Sequence, residues 1–190
     1  RVQINFPRKS LRGVNGYRLV EQAGQCVRAH EVGVSGIVGQ LRRTGDANTP
    51  NMTGDVWAVG ADARFAITDR LGVKGEFYHG QTVGTYMGGI IQNFNVNREG
   101  IRSTGAWGEI YYYWTPRLHS HFGCGIDDPL DSDLTAGRPR RNQFYFGNIL
   151  WDVTKSIDVG FEVSRWETDY MAPLHDNQAM VYDTRVRLKF

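Results

Sequence analysis

His119 and His121 stand two residues apart, with Ser120 between them and Asp127 a little further on. On an extended chain, side chains at i and i+2 share a face, so two imidazoles and a carboxylate are able to hold a metal or pass a proton. No third partner is fixed by the spacing, and two histidines on one strand face more often only line a wet surface. Ser120 falls on the opposite face, and no G-x-S-x-G elbow occurs, which leaves a membrane phospholipase or protease as the weaker reading. The acidic run DDPLDSD (127–133) offers carboxylates that suit calcium, but it reads better as a solvated loop. GVSGIVG (33–39) lacks the lysine of a phosphate loop. Arg138, Arg140 and Arg141 form only a short basic cluster in a chain balanced at 22 Lys+Arg against 20 Asp+Glu, so no nucleic-acid partner is expected. The reading is a protein that is not an enzyme, with no catalytic residue, cofactor or metal assigned.

The elements that would position these residues are strands. In 180–190, Met180, Tyr182, Thr184, Val186, Leu188 and Phe190 share one face, while Asp183, Arg185, Arg187 and Lys189 share the other. In 156–164, Ile157, Val159, Phe161 and Val163 oppose Asp158, Gly160 and Glu162. In 71–78, Leu71, Val73, Gly75 and Phe77 oppose Lys74, Glu76 and Tyr78. Over 55–68, Trp57, Val59, Ala61, Ala63, Phe65 and Ile67 oppose Asp62 and Arg64. In 117–127, Leu118, Phe122, Cys124 and Ile126 oppose His119, His121 and Asp127. Strands near 103–114 and 142–153 are so aromatic that parity is harder to read. There Ile110, Tyr112 and Trp114 are placed opposite Glu109, and Tyr145, Ile149, Trp151 and Val153 opposite Asn148 and Asp152. A strand near 31–43 is expected, with two more in the first 25 residues.

Short polar turns in 67–72, 113–118 and 153–158 alternate with long connections at about 43–54, 80–101, 128–140 and 168–178. That order predicts an all-β, antiparallel, up-and-down barrel with tight turns at one rim and long loops at the other. Mean hydropathy is −0.43 and no run of 18 apolar residues occurs, which excludes a transmembrane helix. A membrane-spanning strand needs only about 9–11 residues, half of them facing lipid. A soluble sandwich also alternates, but three features favour lipid. Aromatics such as Trp114, Trp151, Phe65 and Phe190 sit near the short turns, small residues such as Ala61, Ala63, Gly75 and Gly147 lie on the apolar face, and the strands are long. Cys26 and Cys124 are far apart in sequence and read as unpaired. The chain begins at Arg1 without a charged-then-apolar leader, as expected if a signal peptide has been removed or the sequence is part of a longer protein.

The terminal stretch YDTRVRLKF, with apolar residues at every second position before a final Phe, resembles the assembly signal of outer-membrane barrel proteins. The hairpins at 111–128 and 148–168 resemble closing strands of porin-like outer-membrane proteins of Gram-negative-type bacteria. The resemblance covers about 55–190, whereas 1–30 match poorly. It implies a single barrel domain over 1–190, or the C-terminal part of a larger barrel, placed in the cell outer membrane. Implied partners are outer-membrane lipids, the barrel-assembly machinery acting on Tyr182, Val186, Leu188 and Phe190, and small hydrophilic solutes; a homotrimer is one assembly it allows.

On this reading the lumen carries Asp62, Arg64, Lys74, Glu76, Glu109, Asp152, Glu162, Arg185, Arg187 and Lys189. The expected function is passive diffusion of small hydrophilic solutes or ions, with a non-conducting structural or adhesive barrel as the alternative. Arg185, Arg187 and Lys189 share one strand and would favour anions if they stood free of acids, but only weakly if paired across the wall.

Overall fold

A computed structural model describes residues 19–22, 25–28, 30–45 and 51–188. Among the described residues, ten strands run in chain order. A small hairpin joins β1 (Leu19–Gln22) to β2 (Gln25–Arg28). The remaining strands are β3 (His30–Arg43), β4 (Met52–Ala66), β5 (Leu71–Gln81), β6 (Arg102–Thr115), β7 (Leu118–Pro129), β8 (Pro139–Asp152), β9 (Ile157–Tyr170) and β10 (Asn177–Leu188). These eight form one antiparallel sheet in which each strand pairs with its sequence neighbours, in the order β10-β9-β8-β7-β6-β5-β4-β3. Among the described residues β3 and β10 each pair on one side only, so the sheet has two free edges and does not close on itself. Lys189 and Phe190 lie outside the described residues.

The register carries the parity of one strand across the sheet. Phe65 pairs with Val73, Val73 with Ile110, Ile110 with Phe122, and so on through Gly147 and Val163 to Tyr182. One step along, Arg64 pairs with Lys74 and Lys74 with Glu109. Apolar and charged residues therefore form two separate faces. Val159, Phe161, Val186 and Leu188 do not meet in a dry interior: Val186 is 72% exposed, Leu188 62% and Phe161 45%. No second sheet covers the apolar face among the described residues.

Strands β4 and β5, β6 and β7, and β8 and β9 are joined at one rim by 67–70, 116–117 and 153–156. All three turns use the same device. Thr68 Oγ1 accepts from the backbone N–H of Arg70 and Leu71, Thr115 Oγ1 from Arg117 and Leu118, and Thr154 Oγ1 from Ser156 and Ile157, at 2.9–3.2 Å. A threonine hydroxyl that satisfies turn amides in this way fixes where the next strand begins, and with it the register. At the opposite rim the strands reach further than alternation alone suggests: β9 continues to Tyr170 and β10 starts at Asn177. The apolar face turns polar there, as in the Arg165–Glu167 ion pair, while backbone pairing continues.

Candidate functional site

The charged face is the candidate site. Next to the short turns its side chains pair across strands. Lys74 Nζ lies 3.1 Å from Glu109 Oε1, and the same oxygen meets His121 Nδ1 at 2.5 Å. His121 Nε2 in turn lies 2.9 Å from His119 Nδ1. Arg64 Nε donates to Tyr111 Oη at 3.2 Å and stacks over that ring. Asn148 Nδ2 donates to Glu162 Oε2 at 2.9 Å. Asp158, only 2% exposed, accepts from both Arg185 (2.9 Å) and Arg187 (2.7 Å) on the neighbouring strand. The basic strand therefore does not stand free of acids, and the condition for a strong anion field is not met.

The histidine pair meets Glu109, not Asp127. Asp127 sits towards the other rim, and no three His, Cys, Asp or Glu among the described residues form a metal-holding group. Ser120 lies on the apolar side, where its Oγ accepts from Trp114 Nε1 at 3.0 Å, and it has no imidazole to activate it. The acids of 127–133 do not pool around a cation: Asp131 pairs with Arg140 and Asp133 with Arg102. Arg141 pairs with Asp169, so two of the three arginines of the basic cluster, Arg140 and Arg141, are held by neighbouring acids. Cys124 is a free thiol on the apolar face.

The ten expected lumen residues are otherwise found as follows. Asp62 and Glu76 are register partners towards the middle of their strands, and Asp152 faces Asp158 at the turn rim. All nine described members share the face; Lys189 is outside the described residues. Tyr182, Val186 and Leu188 share the opposite face of β10.

Two features of this face were not read from the sequence. The first is the segment 82–101, expected as an ordinary long loop. It folds back over the charged face instead, through two single-turn 3-10 segments, Gly84–Tyr86 and Gly89–Ile91. Asp127 holds it there. Its Oδ1 accepts from Tyr78 Oη (2.6 Å), Ser103 Oγ (2.9 Å) and Gly89 N (3.1 Å), and its Oδ2 from Ile90 N (2.7 Å). Gln92 Nε2 donates to Pro139 O at 2.8 Å, a further tie to β8. Thr82 and Ile101, at the two ends of the segment, are 0% and 1% exposed, so its base is among the driest parts of the described residues. Ile90 and Ile91 adopt φ of 47° and 61°, a conformation that β-branched residues avoid, which the Asp127 tether offsets.

The second feature is aromatic. Trp107, Phe144, Phe146 and Trp166 lie on the same face as Glu76 and Glu109. Phe144 and Trp166 stack with centroids 4.8 Å apart and planes inclined by 25°. Trp107 Nε1 donates to Glu76 Oε2 at 3.3 Å. Glycines let these rings lie flat on the sheet. A Cβ on Gly125 would meet Phe144 Cε1 at 2.3 Å, and one on Gly105 would meet Tyr78 Cε1 at 2.2 Å.

No protein-family profile matches the chain, and no curated protein sequence matches it. Among solved structures, the outer membrane channel DcaP of Acinetobacter baumannii matches with a TM-score of 0.62 at 14% identity, over 83% of this chain and 45% of that one. The fold, an antiparallel sheet of sequence-adjacent strands, is similar to that of part of this outer-membrane channel. The chain spans less than half the length of the channel it matches.

Proposed function

We propose that this sheet is part of the wall of an outer-membrane diffusion channel for small hydrophilic solutes or ions. One observation carries the reading: the apolar face is the open one, while the charged face is the one that pairs and is covered. Phe122 is 60% exposed and Ile110 53%, whereas Asp158 and Tyr111 are nearly inaccessible. Water-soluble sheets show the reverse. A lipid solvent outside and a wet, side-chain-lined lumen inside account for it. The fold shared with an outer-membrane channel agrees with this placement.

The two free edges and the 45% coverage of DcaP favour a barrel wider than the eight strands described here. Wider barrels hold water, whereas eight strands are nearly filled by their own side chains. In this reading the tight turns face the periplasm, the long connections face outside, and the inward fold of 82–101 narrows the pore. Lipids lie against Val59, Ile110, Phe122 and Phe161, and the β10 face of Tyr182, Val186 and Leu188 is what the assembly machinery engages. The inward segment also favours a second reading, a plugged barrel without conduction. Single-channel recording in planar bilayers separates the two. Stepwise ohmic conductance is expected, and a correctly inserted, heat-modifiable protein that stays silent would contradict the channel.

A further inference from the structure

The folded-back segment and the sheet enclose a cleft of about 870 Å³. Its floor includes Glu76, Tyr78, Trp107, Phe144 and Trp166; its roof comes from Val83, Tyr86, Met87, Ile90 and Ile91. Among the described lining residues there is no Lys, Arg or His, and the acids are Glu76 and Asp127. Asp127 is already taken by four donors from the wall and the roof. Glu76 is exposed and accepts from the Trp107 indole through Oε2, which leaves carboxylate oxygen capacity facing the cleft. The remaining polar side chains are Ser35 and Asn142.

We infer that this cleft is a subsite for small organic cations that carry a flat apolar body, such as arylalkyl-ammonium or guanidinium solutes. The negative ring faces of Trp107, Phe144 and Trp166 attract a cation and stack on a flat apolar group, and an ammonium beside Glu76 gains a charged acceptor in a partly dry site. An anionic solute would meet the same rings and carboxylate with the wrong sign. One cation already uses an indole here: Lys74 Nζ lies 5.7 Å from the Trp107 ring centroid. It stays outside the cleft lining and is held by Glu109, so it leaves the Phe144–Trp166 pair and Glu76 to a solute. The cleft contrasts with the turn-side half of the same face, where acids are matched by Lys74, Arg185 and Arg187. The transport consequence rests on the channel reading; binding does not.

The experiment uses the whole chain in planar bilayers and in detergent micelles, with benzylammonium, benzyl alcohol and benzoate as probes. Bare potassium chloride conductance tests the channel alone. Benzylammonium should then block the current at concentrations about fivefold lower than either analogue, and Glu76→Gln should remove most of that advantage. Phe144→Leu and Trp166→Leu should weaken benzylammonium more than methylammonium, because only the former stacks. Quenching of tryptophan fluorescence in micelles gives the same order without any need for conduction. Equal binding of benzoate, or an unchanged benzylammonium response in Glu76→Gln, would overturn the subsite. Cation-selective quenching in a protein that does not conduct would uphold the subsite and contradict the channel.

Discussion

The two halves of the charged face are built by different means. Beside the short turns, charge meets charge: Asp158 holds Arg185 and Arg187, and Glu109 holds Lys74 and His121. Beside the long connections, rings lie on glycines under a folded-back segment, and one carboxylate, Asp127, anchors that cover. The first half is built of charge pairs that lie between neighbouring strands. The second is apolar and holds acid without matching base. On the proposed channel reading, a wall made this way would screen ions at one end and select by shape and sign at the other.

The largest expected effect comes from violating the apolar face that lies behind both halves. Phe161→Arg, on the outward side beside Ile149 and Thr184, should destabilise the folded protein in vesicles by about 2–4 kcal/mol by urea titration, as a charge facing the hydrocarbon does. A cost near zero would mean that this side meets water.

Asp158→Asn probes the turn-side half. It leaves two guanidinium groups without their shared carboxylate, and loss of those charge-assisted bonds should cost about 1–3 kcal/mol. Reversal potentials in a salt gradient should move towards anions. An unmoved reversal potential would show that the pair lies away from the ion path.

Gly125→Ala probes the other half. Its Cβ would strike the Phe144 ring at 2.3 Å and displace it, at a cost of about 1–3 kcal/mol, towards the lower end because the ring has room to tilt. Gly108→Ala, whose nearest neighbour would be 3.8 Å away, serves as the control and should be close to neutral. Equal stability of the two variants by thermal gel shift would contradict the ring-on-glycine packing.

The smallest effect belongs to the rim. Hydrogen bonding from Arg102 holds the Asp133 carboxyl below its ordinary 3.8. A lowered pKa contributes stability that is complete above the ordinary value and is lost as pH falls through the lowered one. The segment 130–138 should therefore be protected from proteolysis at neutral pH and become more susceptible only below about pH 4. Loss of protection between pH 5 and 7 would point to a different contact.

The contrast also explains what could be read from the sequence. In 156–164 every second residue is charged or small and the rest are apolar, and in 183–190 the charges fall on alternate positions, so the turn-side half follows from period two alone. In β6 and β8 aromatics occupy both faces. Tyr112 and Trp114 lie outside in T-shaped contact, while Trp107, Phe144 and Phe146 lie inside. Parity cannot tell such rings apart; the usable signal is the glycine opposite each inner ring, Gly125 for Phe144 and Gly123 for Phe146, and it appears only once the register is known. The inward fold of 82–101 was hidden for a similar reason. It depends on Asp127, far along the chain, in a run that looks like an ordinary acidic loop. The turns were the opposite case, since Thr68, Thr115 and Thr154 each sit three residues before the Leu or Ile that opens the next strand.

The central claim is that one face meets lipid and the other lines water, and site-directed spin labelling along β9 tests it most directly. Labels placed singly at residues 157–164 of the whole chain in lipid vesicles report collisions with oxygen, which concentrates in lipid, and with a charged nickel chelate, which stays in water. A strict period of two is expected, with Ile157, Val159, Phe161 and Val163 open to oxygen and Asp158, Gly160, Glu162 and Ser164 favouring the chelate. An inverted phase, or a face closed to both reagents, would contradict it.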